Sequence, residues 1–237
     1  MIPAAPVLFA QGRRLRRDTP RLPDAAEPWF GTVAGPQPLR LLVLGDSTAA
    51  GVGAATQNDA LAGHLARELG ALTGRGVEWR AVGRNGASSR DIITDYLGDV
   101  ASESFDIVYL TVGANDALKL RPRRVFARDI RSIIASLRAS NPKSIILMSS
   151  LPAFFRFELL PNPLKFNLYV HSMSLEDAAR AVIANTPAAH MSPPPPPYTA
   201  GFFATDLFHP SASGYRDWAR FAIEDAASSG VLPASNS

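Results

Sequence analysis

Four short stretches of this 237-residue chain carry groups able to do acyl-transfer chemistry. Ser47 lies in Gly45-Asp46-Ser47-Thr48-Ala49-Ala50-Gly51. A serine hydroxyl is a weak nucleophile near neutral pH. It becomes reactive when a neutral imidazole takes its proton and a third group fixes the tautomer and orientation of that imidazole. Asp206-Leu207-Phe208-His209-Pro210 offers both partners, because one turn of chain brings the aspartate to an imidazole three residues later. The chain order Ser47, Asp206, His209 is immaterial, since geometry defines such a triad. Each stretch also has a plainer use. The Gly-Asp-Ser turn serves equally as a strand-to-helix turn with a capping side chain, and Asp206 with His209 as a local turn hydrogen bond.

Acyl transfer further needs hydrogen-bond donors aimed at the developing oxyanion, each worth roughly 100- to 1000-fold in rate. The backbone amides of Ser47 and Gly86 and the side-chain amide of Asn115 are the candidates. Gly86 has no Cβ to hold its backbone away from a reacting carbonyl, although glycine and asparagine are also ordinary turn residues. Of the other histidines, His64 and His171 fall mid-helix and His190 near a short strand, and structural roles are expected for all three.

These residues need elements to position them. Leu39 onward reads as a buried strand that delivers Ser47. A helix follows over 60–72, where Leu61, Leu65, Leu69 and Leu72 recur at helical spacing. Strands are predicted over 77–82, 106–112, 144–149 and 188–192, and helices over 89–97, 122–140, 166–185 and 211–227. The 166–185 helix is expected to be kinked or interrupted around Ser172-Met173-Ser174. Alternating strands and helices imply a mostly parallel sheet covered on both faces. The expected fold is α/β, a three-layer α/β/α sandwich of flavodoxin-like order with five strands. In such sheets ligands sit beyond the carboxyl ends of the strands, and Ser47, Gly86 and Asn115 all follow strand ends. The loop over 151–163 holds Phe154, Phe155 and Phe157, and with Phe202 and Phe203 it is a candidate acyl pocket; extra core packing is the alternative. Pro193 to Pro197 reads as a stiff connector.

The blocks Gly45 to Gly51, Arg84-Asn85-Gly86, Gly113-Ala114-Asn115-Asp116 and Asp206 to Pro210 together resemble the SGNH (GDSL) hydrolase family, in the family's order and spread from residue 45 to 210, most of the chain beyond the arm. The resemblance implies Ser47 as nucleophile and amide donor, Gly86 and Asn115 as the other oxyanion donors, His209 as general base and Asp206 as its orienting acid. It implies an esterase, lipase, thioesterase or carbohydrate deacetylase that uses no metal and no cofactor. A serine esterase acting on short- to medium-chain carboxylic esters is the expectation. A carbohydrate O-deacetylase or acyltransferase would use the same site. A non-catalytic binding module on the same sheet is a third reading, and Ser47 out of reach of His209 would mark it. The α/β-hydrolase elbow is excluded because Ala49 stands where Gly-x-Ser-x-Gly needs its second glycine. A P-loop is excluded because no Gly-Lys-Ser/Thr end occurs.

Hydrophobic residues make up 46% and charged residues 19% of the chain, with net charge +3, the profile of a globular core. With no cysteine, disulfides, thiolate metal sites and a cysteine nucleophile are excluded. Residues 1–38 hold Pro3, Pro6, Pro20, Pro23, Pro28, Pro36 and Pro38. They read as an extended arm over the hydrolase domain of 39–237, pinned by Trp29 and Phe30. Arg13, Arg14, Arg16, Arg17 and Arg21 cluster there without interleaved aromatics, which favours a solvated face over nucleic acid; contact with an anionic membrane is the alternative. The partner expected is a small-molecule ester. Met1 to Ala10 lacks a basic n-region, so a cytoplasmic location is expected, with secretion or anchoring reserved for a longer native N-terminus.

Overall fold

Side-chain alternation along the central strands decides the architecture. In β2 (Leu39–Gly45), Leu42 and Leu44 enter one core while Leu41 and Val43 enter another. Successive side chains on a strand point to opposite faces, so a strand buried on both sides needs helices above and below it. β4 (Ile107–Thr111) repeats the pattern, with Val108 and Leu110 in the first core and Ile107 and Tyr109 in the second. The computed structural model describes residues 4–232. Pro3 of the arm lies outside them, as does the side chain of Arg16.

The other strands are β1 (Phe30–Val33), β3 (Val77–Gly83), β5 (Ile145–Met148) and β6 (Ala189–Met191). Sheet order is β1-β3-β2-β4-β5-β6, parallel throughout except for the antiparallel pair β1 and β3. The five parallel strands follow the flavodoxin order, with the first strand β2 between β3 and β4. Order reverses at β2, and the crevice beside it is where such sheets bind ligands. The helices are α1 (Ala4–Asp18), α2 (Leu61–Thr73), α3 (Ser89–Asp95), α4 (Leu97–Val100), α5 (Ala114–Leu118), α6 (Arg123–Ser140), α7 (Leu164–Ile183) and α8 (Ala212–Ser228). Helices α2 and α8 cover one face, and α3, α4, α6 and α7 the other. Among the described residues, no helix is long and apolar enough to cross a membrane.

Three expectations need correction. The sheet has six strands rather than five, because Phe30–Val33 pairs along β3 from Phe30 opposite Arg80 to Val33 opposite Val77. The segment 1–38 is therefore not wholly an arm outside the domain, nor extended throughout. Residues 4–18 are helical, and Pro6 is compatible with this because a first-turn residue has no intrahelical N–H partner to lose. Trp29 does anchor the segment, donating to the Ala25 carbonyl at 3.0 Å and packing on the second core. Phe30 does not, at 66% exposed. Finally, α7 runs unbroken through Ser172, whose buried hydroxyl donates to the Pro152 carbonyl at 3.3 Å. In the basic cluster, Arg14 and Arg17 pair with Asp18 at 3.3 and 2.8 Å.

Candidate active site

Gly45 ends β2, and the chain turns through Asp46 to present Ser47, 7% exposed. The Val52 amide donates to the Ser47 carbonyl at 3.0 Å, and the Thr48 amide to Asp46 Oδ1 at 3.1 Å, so the turn is closed on both sides. Asp46 is buried. Burial pushes its carboxyl up to about 6, against the opposing effects of the Thr48 hydrogen bonds and nearby His209.

The second half of the site is a loop tied into a hairpin. The Ala204 amide donates to the His209 carbonyl at 2.8 Å and the Ser211 amide to the Phe202 carbonyl at 2.7 Å. Asp206 Oδ1 accepts from the amides of Phe208 and His209, both at 3.0 Å, and Asp206 Oδ2 faces His209 Nδ1 at 2.6 Å. Burial raises the Asp206 carboxyl, but these hydrogen bonds outweigh it and the net shift is downward. Closing so tight a turn puts Leu207 at φ +56°, a left-handed conformation that disfavours residues other than glycine. Ser211 caps α8, accepting from the Gly214 amide at 3.2 Å. Pro210 thus immediately precedes the cap.

The two halves meet. His209 Nε2 lies 3.0 Å from Ser47 Oγ across 162 residues of chain. Packing sets that distance: the Tyr215 hydroxyl, buried on α8, donates to the Val52 carbonyl at 2.7 Å. At Gly53 (φ +99°) a Cβ would sit 2.2 Å from the Pro210 carbonyl oxygen, so only glycine lets the loops approach this closely. Neither Tyr215 nor Gly53 stands out in the sequence as part of the site, because each acts on a partner more than 150 residues away. Ser47, Asp206 and His209 therefore form one continuous hydrogen-bonded line.

Gly86 lies in the loop after β3, and Asn115 in the first turn of α5, just past the end of β4. Gly86 adopts φ +83° with open space where a Cβ would project, so its backbone conformation rather than crowding calls for glycine. Asn115 Nδ2 donates to the Ala87 carbonyl at 3.0 Å, which links the two loops. Buried Asp116 links them again, accepting from the Ser89 amide at 2.9 Å and the Ser89 hydroxyl at 2.6 Å. Arg121 holds Asp116 at 2.9 Å. That network was illegible in the sequence because its members are far apart in the chain; the only local signal was an aspartate directly after Asn115.

Ser47 and His209 open onto a cleft lined by Leu151, Phe157, Tyr198, Phe202, Phe203 and Phe208, with about 60 Å³ open to the centre of a water-sized sphere. Phe157, Phe202 and Phe203 are thus in the position expected of an acyl pocket, with Phe157 and Phe203 ring centroids 5.1 Å apart. Phe154 and Phe155 are not. A single 3₁₀ turn over Phe154–Arg156 sends successive side chains in different directions, Phe154 into the core and Phe155 onto Tyr169, half exposed. Pro195 lines the cleft, and Arg156 donates to the carbonyls of Pro195 and Pro196 at 2.5 and 2.9 Å, so the proline run is a fixed wall. The other histidines fall elsewhere: His64 Nδ1 meets Arg67 at 2.8 Å, and His190 meets Asp225 at 2.6 Å. Among the described residues no group of three or more His, Asp or Glu side chains is placed to hold a metal ion.

Comparison with known proteins agrees with this arrangement. The profile of the GDSL-like Lipase/Acylhydrolase family matches residues 43–216. A GDSL-like esterase of Mycobacterium tuberculosis is 27% identical over 205 residues, 81% of this chain and 63% of that protein, so the chain spans somewhat under two thirds of the length of this relative. Among solved structures, a lipase from a goat rumen metagenome has a TM-score of 0.62 at 15% identity, covering 81% of this chain and 98% of that one. An acetylxylan esterase of Geobacillus stearothermophilus has a TM-score of 0.57 at 17% identity, covering 81% of this chain and 94% of that one. At these identities the structural likeness speaks to the fold. The family profile spans the Gly-Asp-Ser turn, both donor loops and the Asp-His turn, and on that ground the chain belongs to the GDSL-like lipase/acylhydrolase family.

Proposed function

We propose that this chain is a serine esterase that hydrolyses esters of short carboxylic acids through an acyl-enzyme. The observation that carries the reading is His209, with Nε2 3.0 Å from Ser47 Oγ and Nδ1 2.6 Å from Asp206. Ser47 Oγ attacks the ester carbonyl carbon and its proton passes to His209 Nε2. Asp206 stays ionised, holding the ring with Nδ1 protonated and stabilising the imidazolium. The tetrahedral oxyanion is met by the amides of Ser47 and Gly86 and by Asn115 Nδ2, which has a second N–H beside the one given to Ala87. The intermediate collapses, the carbon–oxygen bond to the alcohol breaks, and His209 returns its proton to the departing oxygen. Water then repeats the cycle through the same base and frees the acid and Ser47.

Acyl size follows from the cleft. A water needs roughly 10–15 Å³ of such volume, so about 60 Å³ accepts four to six groups of that size, from acetyl to about butyryl. The aromatic lining supports simple esters over a sugar deacetylase or an acyltransferase, which would need a polar acceptor groove at the same place.

The test is hydrolysis of p-nitrophenyl acetate, butyrate and octanoate, with acetylated xylan beside them, by wild type and Ser47→Ala. Acetate and butyrate should be turned over, octanoate and xylan poorly. Ser47→Ala should lose at least about 10⁴-fold in kcat while staying folded, and should lose labelling by a fluorophosphonate. Residual turnover near wild type in folded Ser47→Ala would remove the serine from the mechanism.

A further inference from the structure

A second cavity opens on the other side of His209. It is far larger than the acyl cleft, about 570 Å³ against about 60 Å³. Phe208 and His209 line both and so form the partition; Ser47 lines the cleft, and Asp206 the cavity. Its far wall comes from the N-terminal segment, through Leu15 of α1 and Leu22 after it, facing Leu118, Leu164 and Leu168 of the family domain. That segment lies wholly outside residues 43–216, the stretch that matches the family.

The wall is anchored at both ends. Gln11 and the start of α7 hold each other reciprocally: Gln11 Nε2 donates to the Asn162 carbonyl at 2.7 Å, and the Leu164 amide to Gln11 Oε1 at 3.1 Å. Further along, the Ala25 and Ala26 amides donate to the Ala50 and Ala55 carbonyls, both at 3.0 Å, in the loop that follows Ser47. Between these ties Leu15 packs on the first core. The cavity is therefore a built feature of the fold that borders the site at His209 and Phe208.

Reaction geometry names its occupant. On the esterase reading, upon which this inference rests, the leaving oxygen must come within hydrogen-bond reach of His209 Nε2 to receive its proton. The acyl group occupies the Ser47 side, so the body of the alcohol extends on the His209 side, where this cavity lies. We propose that the cavity is the alcohol subsite and that the N-terminal segment makes the enzyme selective for esters of bulky apolar alcohols. Leucines on both walls supply apolar area, and a pocket of several hundred Å³ suits a ring system or a branched or long alkyl body rather than ethanol.

The experiment keeps the acyl group fixed. Wild type, Leu15→Trp and Leu22→Trp, each in the full chain and checked for an unchanged fold by circular dichroism, are compared on ethyl acetate, 2-naphthyl acetate, decyl acetate and ethyl decanoate. The expected result is that the ratio of kcat/KM for naphthyl or decyl acetate over ethyl acetate falls at least tenfold in both variants. An unchanged ratio overturns the proposal. So does a loss seen instead in ethyl decanoate over ethyl acetate, which would give the cavity to the acyl chain. A second measurement needs no turnover: calorimetric titration of 2-naphthol into Ser47→Ala and into Ser47→Ala with Leu15→Trp. Binding weakened at least tenfold by the tryptophan supports the subsite even if no ester is hydrolysed, in which case the esterase reading alone fails. Absence of binding, or binding indifferent to the tryptophan, sinks the subsite whatever the esterase assays give.

Discussion

Replacing Asp46 by Asn should stabilise the protein at neutral pH and have a much smaller effect at pH 4. Asp46 is 3% exposed, and burial raises its carboxyl from 3.8 to about 6. Each unit corresponds to 1.36 kcal/mol between the two protonation states, so a rise of about two units amounts to about 3 kcal/mol. The sign follows from proton binding. Between about pH 4 and pH 6 the native state holds a proton that the unfolded chain has released, so native stability falls as pH rises through that window. Above pH 6 both states are ionised and the full penalty persists. An asparagine Oδ1 can still accept from the Thr48 amide, now 3.1 Å from Asp46 Oδ1, but it carries no charge. Any cost of the new NH₂ group is the same at every pH and cancels in a double difference. Urea unfolding of wild type and Asp46→Asn at pH 4.0 and pH 7.5 yields that difference directly. Because pH 4.0 already lies just above the unfolded value, the variant should gain about 2 kcal/mol over wild type between the two conditions, which for a chain of this length is about 4–8 °C in Tm. Equal differences at both pH values, within about 0.5 kcal/mol, would mean that Asp46 is not a buried carboxyl with a raised pKa and would refute the reasoning.

Asn115→Ala removes a proposed oxyanion donor and should cut kcat about 100- to 1000-fold with little change in KM; a purely structural role in bridging to Ala87 would show as lost stability with kcat intact. Phe157→Ala deletes a wall of the acyl cleft, so the preferred p-nitrophenyl ester should move from butyrate toward hexanoate or octanoate, at a cost of about 3–5 kcal/mol in stability for a buried phenylalanine. A chain-length profile identical to wild type would exclude Phe157 from acyl selection.

The chemistry was legible because each part is written locally. A Gly-Asp-Ser turn needs a few consecutive residues, and Asp206 with His209 needs one turn, so the sequence names them without any knowledge of what they face. Strand order was legible for a related reason: alternating strands and helices leave few topologies once crossovers are right-handed. β1 was missed because four residues with alternating half-burial and an exposed Phe30 carry little pattern of their own; pairing with β3 makes the strand. α1 is illegible because a proline ordinarily reads as a breaker, whereas the one proline in it, Pro6, sits in the first turn. The break expected in α7 failed where a serine found a tertiary partner, the Pro152 carbonyl.

Substrate selection was the least legible part, and there is a physical reason. Catalytic groups must be of particular types, so they leave motifs; walls need only be apolar and correctly placed, so they leave none. The cleft beside Ser47, the proposed acyl site, draws Phe157 from a loop, Pro195 from the proline run and Phe202 and Phe203 from a hairpin arm. Phe154 and Phe155, indistinguishable from Phe157 by composition, face elsewhere because of one 3₁₀ turn. The same holds across His209, where Leu15 and Leu22 come from a segment that carries no family signature. A chain can therefore keep Ser47, Asp206 and His209 in register through the Tyr215–Val52 hydrogen bond while its N-terminal wall varies freely. On that argument, two members of this family with identical catalytic blocks should differ in alcohol preference according to what precedes the first strand of the matched domain.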